Sequence, residues 1–208
     1  MTFAHLTSQL RKCCSYHEIF SVIFCNIPED VQSYGSDMTD KELVLQVRNG
    51  NQHACRFLVA KYQGLVNHMV RRILLRNDVA EDICQDVFLK VFSRLGAFRG
   101  DAKLSTWIAT IAYNTSLTEL NRMKVKKETS INLLPVSAVP ESFEPVREFE
   151  NEEVKKILLN MIETLPVHYR TILTLFYLEE FSYREIEQVT GMPEGTVKNY
   201  LYRARYLL

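Results

Sequence analysis

The sequence predicts an all-α chain of two small helical domains joined by a flexible linker, with a helix-turn-helix in the C-terminal one. Three observations predict it. Apolar residues recur at helical spacing from Met38 to Lys127 and again from Glu150 to the C-terminus. Between them, ETSINLLPVSAVPESFEPVREFE carries three prolines and no clean period. Near the end, SYREIEQVTGMPEGTVKNYLYRAR reads as two short helices meeting at Gly191.

Residues 1–37 lack a sustained period, and they read either as a dispensable leader or as the product of a start codon assigned too far upstream. The apolar run IFSVIFCNI is nine residues long, whereas a bilayer crossing needs about 20, and His17 and Glu18 precede it, so no secretory signal is expected and cytoplasm is the expected location. From Met38 the pattern sharpens. Thr39 and Glu42 form a capping box, Leu43 and Val47 share a face, and Asn49-Gly50 ends that helix. Ala54, Phe57, Leu58, Leu65 and Met69 mark a long amphipathic helix with Lys61 at its margin. Asn77 and Asp78 start another, with Ile83, Val87 and Val91 on one side and Asp82 and Asp86 on another. After the loop GAFRGDAK, a helix from Leu104 buries Leu104, Trp107, Ile108, Ile111 and Thr115 along one stripe. Four helices therefore fall between 38 and 127.

The linker, residues 128–149, extends to roughly 70 Å at about 3.3 Å per residue. Helix returns at Glu150 with Val154, Ile157, Leu158, Met161 and Leu165, stops before Pro166, and resumes through Ile172, Leu175 and Phe176. Ser182 and Glu185 then make a second capping box for a short helix carrying Ile186 and Val189. Gly191 suits the tight turn, and Pro193 suits a first helical turn. In the last helix Val197, Leu201, Ala204 and Leu208 form the apolar stripe, while Gly195, Asn199, Tyr202 and Tyr206 face outward with Lys198 and Arg203 on their flanks. The second helix of such a motif enters the major groove, where Lys, Arg and Asn supply donors to bases and phosphates. The same residues also suit an ordinary solvated face.

Composition narrows the function. The 208 residues hold 25 basic and 25 acidic side chains, a formal net charge of zero. That balance hides segregation: Glu119 to Lys127 has four basic residues against one acid, and Glu128 to Glu153 has seven glutamates against Arg147 alone. Separate surfaces for different partners are expected. Five cysteines, Cys13, Cys14, Cys25, Cys55 and Cys84, cannot all pair and show no repeated CxxC spacing. Cys13, Cys14, His17 and Cys25 are awkward for one tetrahedral zinc because two cysteines are adjacent; Cys55 and Cys84 suit a helical core. There is no GxxxxGK, HExxH or GxSxG, and His68 and His168 read as surface or packed residues, so an enzyme, a cofactor and a metal are not expected.

Two distant blocks in order, QDVFLKVFSRLGAFRGDAKLSTWIATIAYN and LPVHYRTILTLFYLEEFSYREIEQVTGMPEGTVKNYLYRAR, resemble the extracytoplasmic-function group of bacterial sigma factors over about residues 38–208. The resemblance implies a dissociable subunit that gives RNA polymerase its promoter specificity. A region 2 domain (38–127) would bind core polymerase and the opened −10 element. A region 4 domain (150–208) would bind polymerase and the −35 duplex. An anti-sigma factor is an expected partner.

By matching position, Lys90, Phe98 and Asn114 resemble residues of the family's pocket for a flipped −10 base, with Arg99 and Lys103 nearby for backbone phosphates. Phe98 would equally serve as a plug of the helix junction, and Asn114 as a partner for a loop carbonyl. Trp107, on the apolar stripe, is read as core. Arg94 departs from the family, which often has a small residue there. Arg122, Lys124, Lys126 and Lys127 would track phosphates or complement the helix dipole. The −35 positions are Lys198, Asn199, Tyr202 and Arg203, with Thr196 near phosphate at the helix N-terminus. Glu187 is a second departure, at a position where a small residue usually lets the two helices approach. Asp82, Gln85 and Asp86 share an exposed face that resembles the polymerase-binding surface; on spacing alone it is equally a solvated face. The competing reading is a stand-alone helix-turn-helix regulator, which would need dimer symmetry that two unlike domains do not offer.

Overall fold

The computed structural model describes residues 38–130 and 160–207. The leader 1–37, most of the predicted linker, the helix start at Glu150, and Cys13, Cys14 and Cys25 lie outside the described residues. The first unit holds α1 (Asp40–Arg48), α2 (Gln52–Leu74), α3 (Asn77–Arg94), a 3-10 turn (Leu95–Ala97) and α4 (Leu104–Ser130). In the second, residues 160–164 are helical and precede α5 (Val167–Leu173), a π turn (Thr174–Leu178), α6 (Tyr183–Thr190) and α7 (Glu194–Leu207).

Local chemistry sets the helix ends. The Thr39 hydroxyl accepts from the Glu42 amide, and Glu42 accepts from the Thr39 amide, the reciprocal bonds expected of the capping box. Asn51 Oδ1 accepts from the amides of His53 (3.0 Å) and Ala54 (3.3 Å), which opens α2. α2 closes on Leu75 in the left-handed region (φ 53°), a conformation costing about 1–2 kcal/mol for a residue with a Cβ. Asp40 links three elements at once. Its carboxylate accepts from Lys61 Nζ (3.1 Å) and the Tyr62 hydroxyl (3.1 Å) on α2, and from the Leu104 amide (3.2 Å) at the start of α4. Burial pushes its pKa up, but these donors outweigh that and hold it below the ordinary aspartate value.

α4 runs to Ser130, three residues into the segment predicted as linker. Nothing between Lys126 and Ser130 breaks a helix, since the first proline comes at Pro135. Cys55 and Cys84 are buried in the core and form no disulfide, as their helical positions predicted.

The larger finding concerns the two units. They pack against each other, α5 on α2 and α6 on α4, and their buried apolar side chains form one continuous cluster. Arg170 of α5 is 8 % exposed and holds the junction. Its guanidinium donates to the carbonyls of Arg72 (2.7 Å) and Ile73 (3.2 Å) in the last turn of α2, where the helix leaves acceptors without internal partners. The same group donates to Glu163 O and Leu165 O within its own unit. Three side-chain contacts also join the units: the ion pairs Arg72–Glu163 (3.1 Å) and Lys103–Glu185 (2.8 Å), and a hydrogen bond between His68 Nδ1 and Glu179 Oε1 (2.6 Å).

Candidate nucleic-acid interface

In the C-terminal motif α6 begins at Ser182, whose hydroxyl accepts from the Glu185 amide, and ends at Gly191 with φ 72°. Gly191 supplies the left-handed turn that lets α7 pack back across α6. Pro193 O accepts the first α7 bonds, from Thr196 N and Val197 N. Val197, Leu201 and Ala204 are buried as the stripe predicted. Lys198, Asn199, Tyr202 and Arg203 are exposed and Thr196 is half-buried, so the predicted −35 residues share the outward side of α7.

Those residues differ in how committed they are. Lys198 Nζ lies 2.6 Å from Glu194 Oε1 and 5.2 Å from the centre of the Tyr183 ring. The Glu194 carboxylate raises the Lys198 pKa and is itself lowered by the lysine. The side chains of Asn199 and Arg203, by contrast, form no hydrogen bond or ion pair with other described residues, which leaves their donors free for a ligand. Tyr202 and Tyr206 lie with ring centres 5.8 Å apart, 64 % and 83 % exposed.

On the first unit, α3 and α4 enclose a cleft of about 300 Å³. Ile111 and Thr115 lie deep in it; Lys90, Arg94, Thr110, Asn114 and Thr118 supply its polar atoms and Trp107 one wall. Lys90 Nζ donates to the Thr115 hydroxyl at 3.1 Å. The structure thus brings Lys90 and Asn114 together, with Arg94 beside them. Phe98 does not line this cleft. Its ring packs on Trp107 at 5.5 Å, one layer away, and is half-buried. Trp107, read from its stripe as core, is half-buried and presents a face to the cleft, because the stripe's edge meets the opening between α3 and α4. Arg99 is exposed in the loop.

Lys103 carries an unforeseen partner. Its ammonium pairs with Glu185, the same carboxylate that accepts from the Ser182 amide and hydroxyl in the capping box. Burial pushes the Glu185 pKa up, but Lys103 and Ser182 pull it down further, while Glu185 raises the Lys103 pKa. A residue predicted to touch DNA from the first unit is therefore engaged by the second. The junction residues Arg170 and Glu185 escaped sequence reasoning; the available signal was an arginine placed directly before the buried run from Thr171 to Leu175.

Asp82 and Asp86 are exposed on α3 and Gln85 is half-buried between them, so the predicted polymerase-facing surface is accessible. Glu187, also half-buried, offers its carbonyl to the Gly191 amide. Among the described residues no helix is long and apolar enough to cross a membrane, and no group of three His, Cys, Asp or Glu could hold a metal.

Comparison with known proteins agrees with this geometry. Residues 58–124 match the Sigma-70 region 2 family, and residues 155–208 match Sigma-70, region 4. The ECF RNA polymerase sigma-E factor of Escherichia coli (strain K12) is 34% identical over 175 residues, covering 81% of this chain and 91% of that protein. The protein of the same name from Haemophilus influenzae is 32% identical over 178 residues, covering 82% and 94%. Among solved structures, the sigma factor RpoE in complex with the anti-sigma factor NepR from Bartonella quintana has a TM-score of 0.58 at 20% identity, covering 72% of this chain and 91% of that one. CnrH in complex with the cytosolic domain of CnrY gives 0.58 at 20% identity, covering 81% and 93%. At that identity the structures speak for the fold, whereas the sequence relatives carry the family. With a region 2 unit, a region 4 helix-turn-helix and relatives above 30% identity along most of their length, the chain belongs to the extracytoplasmic-function (ECF) family of RNA polymerase sigma factors.

Proposed function

We propose that this sigma factor binds core RNA polymerase through the Asp82, Gln85 and Asp86 face of α3, reads an unwound −10 element at the α3–α4 cleft, and reads the −35 duplex with α7. The role is one of binding in the cytoplasm, with no bond-making chemistry of its own. The observation that carries the proposal is the pair of unlike, accessible donor surfaces: a cleft sized for a small ligand on one unit and an open recognition helix on the other. One further partner follows from the relatives. RpoE and CnrH were each solved with a partner, named an anti-sigma factor for RpoE, and a protein of that kind is proposed to hold this chain inactive.

Reach constrains the mechanism. Elements named −35 and −10 lie about 25 base pairs apart, or about 85 Å of duplex at about 3.4 Å per pair. A compact chain of this length has a radius of gyration of about 17 Å, hence a diameter of about 45 Å. The closed packing cannot span both elements, so the two units must part when they engage DNA. Opening releases Lys103 from Glu185 and returns its ammonium to the −10 surface.

On α7, Arg203 is free whereas Lys198 is already paired, and an arginine bidentate to guanine gives roughly 1–3 kcal/mol of discrimination. Arg203→Ala should therefore relax −35 sequence choice more than Lys198→Ala; equal losses on cognate and scrambled duplexes for both would defeat that assignment. Run-off transcription with core polymerase on a randomised promoter library tests the whole proposal. Enriched −10 and −35 sequences support it, and a gel shift of duplex DNA without polymerase, with no transcription, favours a stand-alone regulator.

A further inference from the structure

On the reading of α7 as the −35 helix, on which this inference rests, we propose that Glu194 is a positioning residue that keeps the free chain off duplex DNA. It does so by holding two cations of the helix-turn-helix in internal pairs that a phosphate must break. Glu194 stands in the first turn of α7 and is its only carboxylate. One of its oxygens lies 2.6 Å from Lys198 Nζ, one helical turn on, and the other lies 3.9 Å from Arg184 Nε of α6. The Lys198 ammonium also sits 5.2 Å over the centre of the Tyr183 ring of α6, so the arrangement bridges both helices of the motif. The motif's other carboxylates leave these cations alone: Glu185 pairs with Lys103, and the Glu187 side chain forms no ion pair with a described residue.

The cations so held are the ones placed for the DNA backbone. In a helix-turn-helix the first helix crosses the phosphates and the second reads base edges. Arg184 lies on that first helix with its side chain 88 % exposed, and Lys198 lies in the second turn of α7. Asn199 and Arg203, the candidates for base contact, are exposed and carry no such partner. A helix start attracts anions because its first N–H groups lack internal partners, and here the chain supplies the anion itself. A phosphate arriving at this corner has to displace the Glu194 carboxylate, and a lysine that stays paired releases no counterion from DNA. A Glu–Lys pair one turn apart also stabilises an exposed helix. That role alone predicts no change in the salt dependence of DNA binding.

The test titrates the full chain, without polymerase, into two labelled duplexes, one carrying the −35 sequence that the holoenzyme selects and one scrambled. Binding is followed by fluorescence anisotropy from about 50 to 200 mM salt. Glu194→Gln should bind both duplexes more tightly, by roughly 5- to 10-fold at about 0.1 M salt, with log K against log salt steeper by about 1, the value of one added lysine–phosphate contact. The ratio between the two duplexes should stay the same, because phosphate contacts carry no sequence information. In a Lys198→Gln background the same substitution should lose most of that gain. A damaged fold does not produce tighter binding, and a matched thermal melt checks the variants; Glu194→Asp, which keeps the charge but shortens its reach to Lys198, should show part of the gain. No gain for Glu194→Gln, a gain undiminished without Lys198, a gain confined to the selected duplex, or an unchanged salt slope would each overturn the proposal. So would the absence of binding by wild type and variant alike at the lowest salt. Failure of the −35 reading shows elsewhere: a wild-type holoenzyme that transcribes equally well whichever −35 sequence is present would remove α7 from duplex recognition, and the Glu194 proposal with it.

Discussion

Replacing Arg170 by methionine should loosen the closed form by about a hundredfold. Methionine keeps most of the length and apolar stem but removes every donor. Of the four carbonyls that Arg170 satisfies, those of Arg72 and Ile73 belong to α2 and those of Glu163 and Leu165 to the second unit. Burial lowers the Arg170 pKa, a desolvation cost that the nearby Glu163 carboxylate partly offsets. A hydrogen bond from a charged donor contributes about 1.5–3 kcal/mol net, so the two bonds across the junction give about 3–6 kcal/mol before the gain from removing a buried charge is subtracted. Taking about 3 kcal/mol as the remainder, the ratio of closed to open chain falls by roughly 150-fold, at about 1.4 kcal/mol per factor of ten. Small-angle scattering should show a larger radius of gyration for Arg170→Met at neutral pH, and urea unfolding should show a lower midpoint for the second unit. An unchanged radius together with an unchanged midpoint would refute the reasoning, since it would mean that desolvating the guanidinium cancels everything its bonds contribute.

Other substitutions test the smaller devices. Leu75→Gly removes the left-handed strain at the end of α2, and because Leu75 is 41 % exposed little packing is lost; thermal unfolding should rise by a few degrees, corresponding to about 0.5–1 kcal/mol. Asp40→Asn should cost about 1–2 kcal/mol in urea unfolding at pH 7, discounted because the carboxylate is one-third exposed. Since the folded-state pKa of Asp40 is depressed, its contribution is present above the unfolded value of about 3.9 and is lost as pH falls through the folded value, so the gap between wild type and variant should hold from pH 7 to 5 and close below about pH 4. Burial pushes the Cys84 thiol up to about 12, so peptide mapping after iodoacetamide treatment at pH 8 should find Cys84 unmodified in the folded chain and modified in urea; equal labelling in both would contradict its burial.

Much of this was legible in the sequence because local rules and tertiary packing agree. Thr39 with Glu42 and Ser182 with Glu185 could be read as capping boxes from residue type and spacing alone, and both form. Gly191 could be read as the hinge because no residue with a Cβ takes φ 72° cheaply. The stripe of Val197, Leu201 and Ala204 followed from helical period. What was not legible depends on residues brought together from far apart. A guanidinium reaching carbonyls 97 and 98 positions away leaves no local pattern, and Arg170 is simply one charged residue before an apolar run. Nor does periodicity reveal that Glu185, already used in a capping box, has a second oxygen free for Lys103. Trp107 packs against the core as its stripe predicted, but that it also opens onto the cleft was not legible for a related reason: period assigns a face, whereas whether a neighbouring helix covers all of that face depends on how far α3 and α4 diverge. Phe98 lies beside that tryptophan instead of in the cleft, a consequence of the 3-10 turn that turns the loop away.

On the proposed function, the closed free chain opens to read two promoter elements with its two units. Energy transfer between dyes at Gln52 on α2 and Gln188 on α6, both exposed, measures this directly. The free chain should give a short distance, and addition of core polymerase and a transcribed promoter should lengthen it by tens of ångströms. A distance that stays short in a complex that is actively transcribing would contradict it.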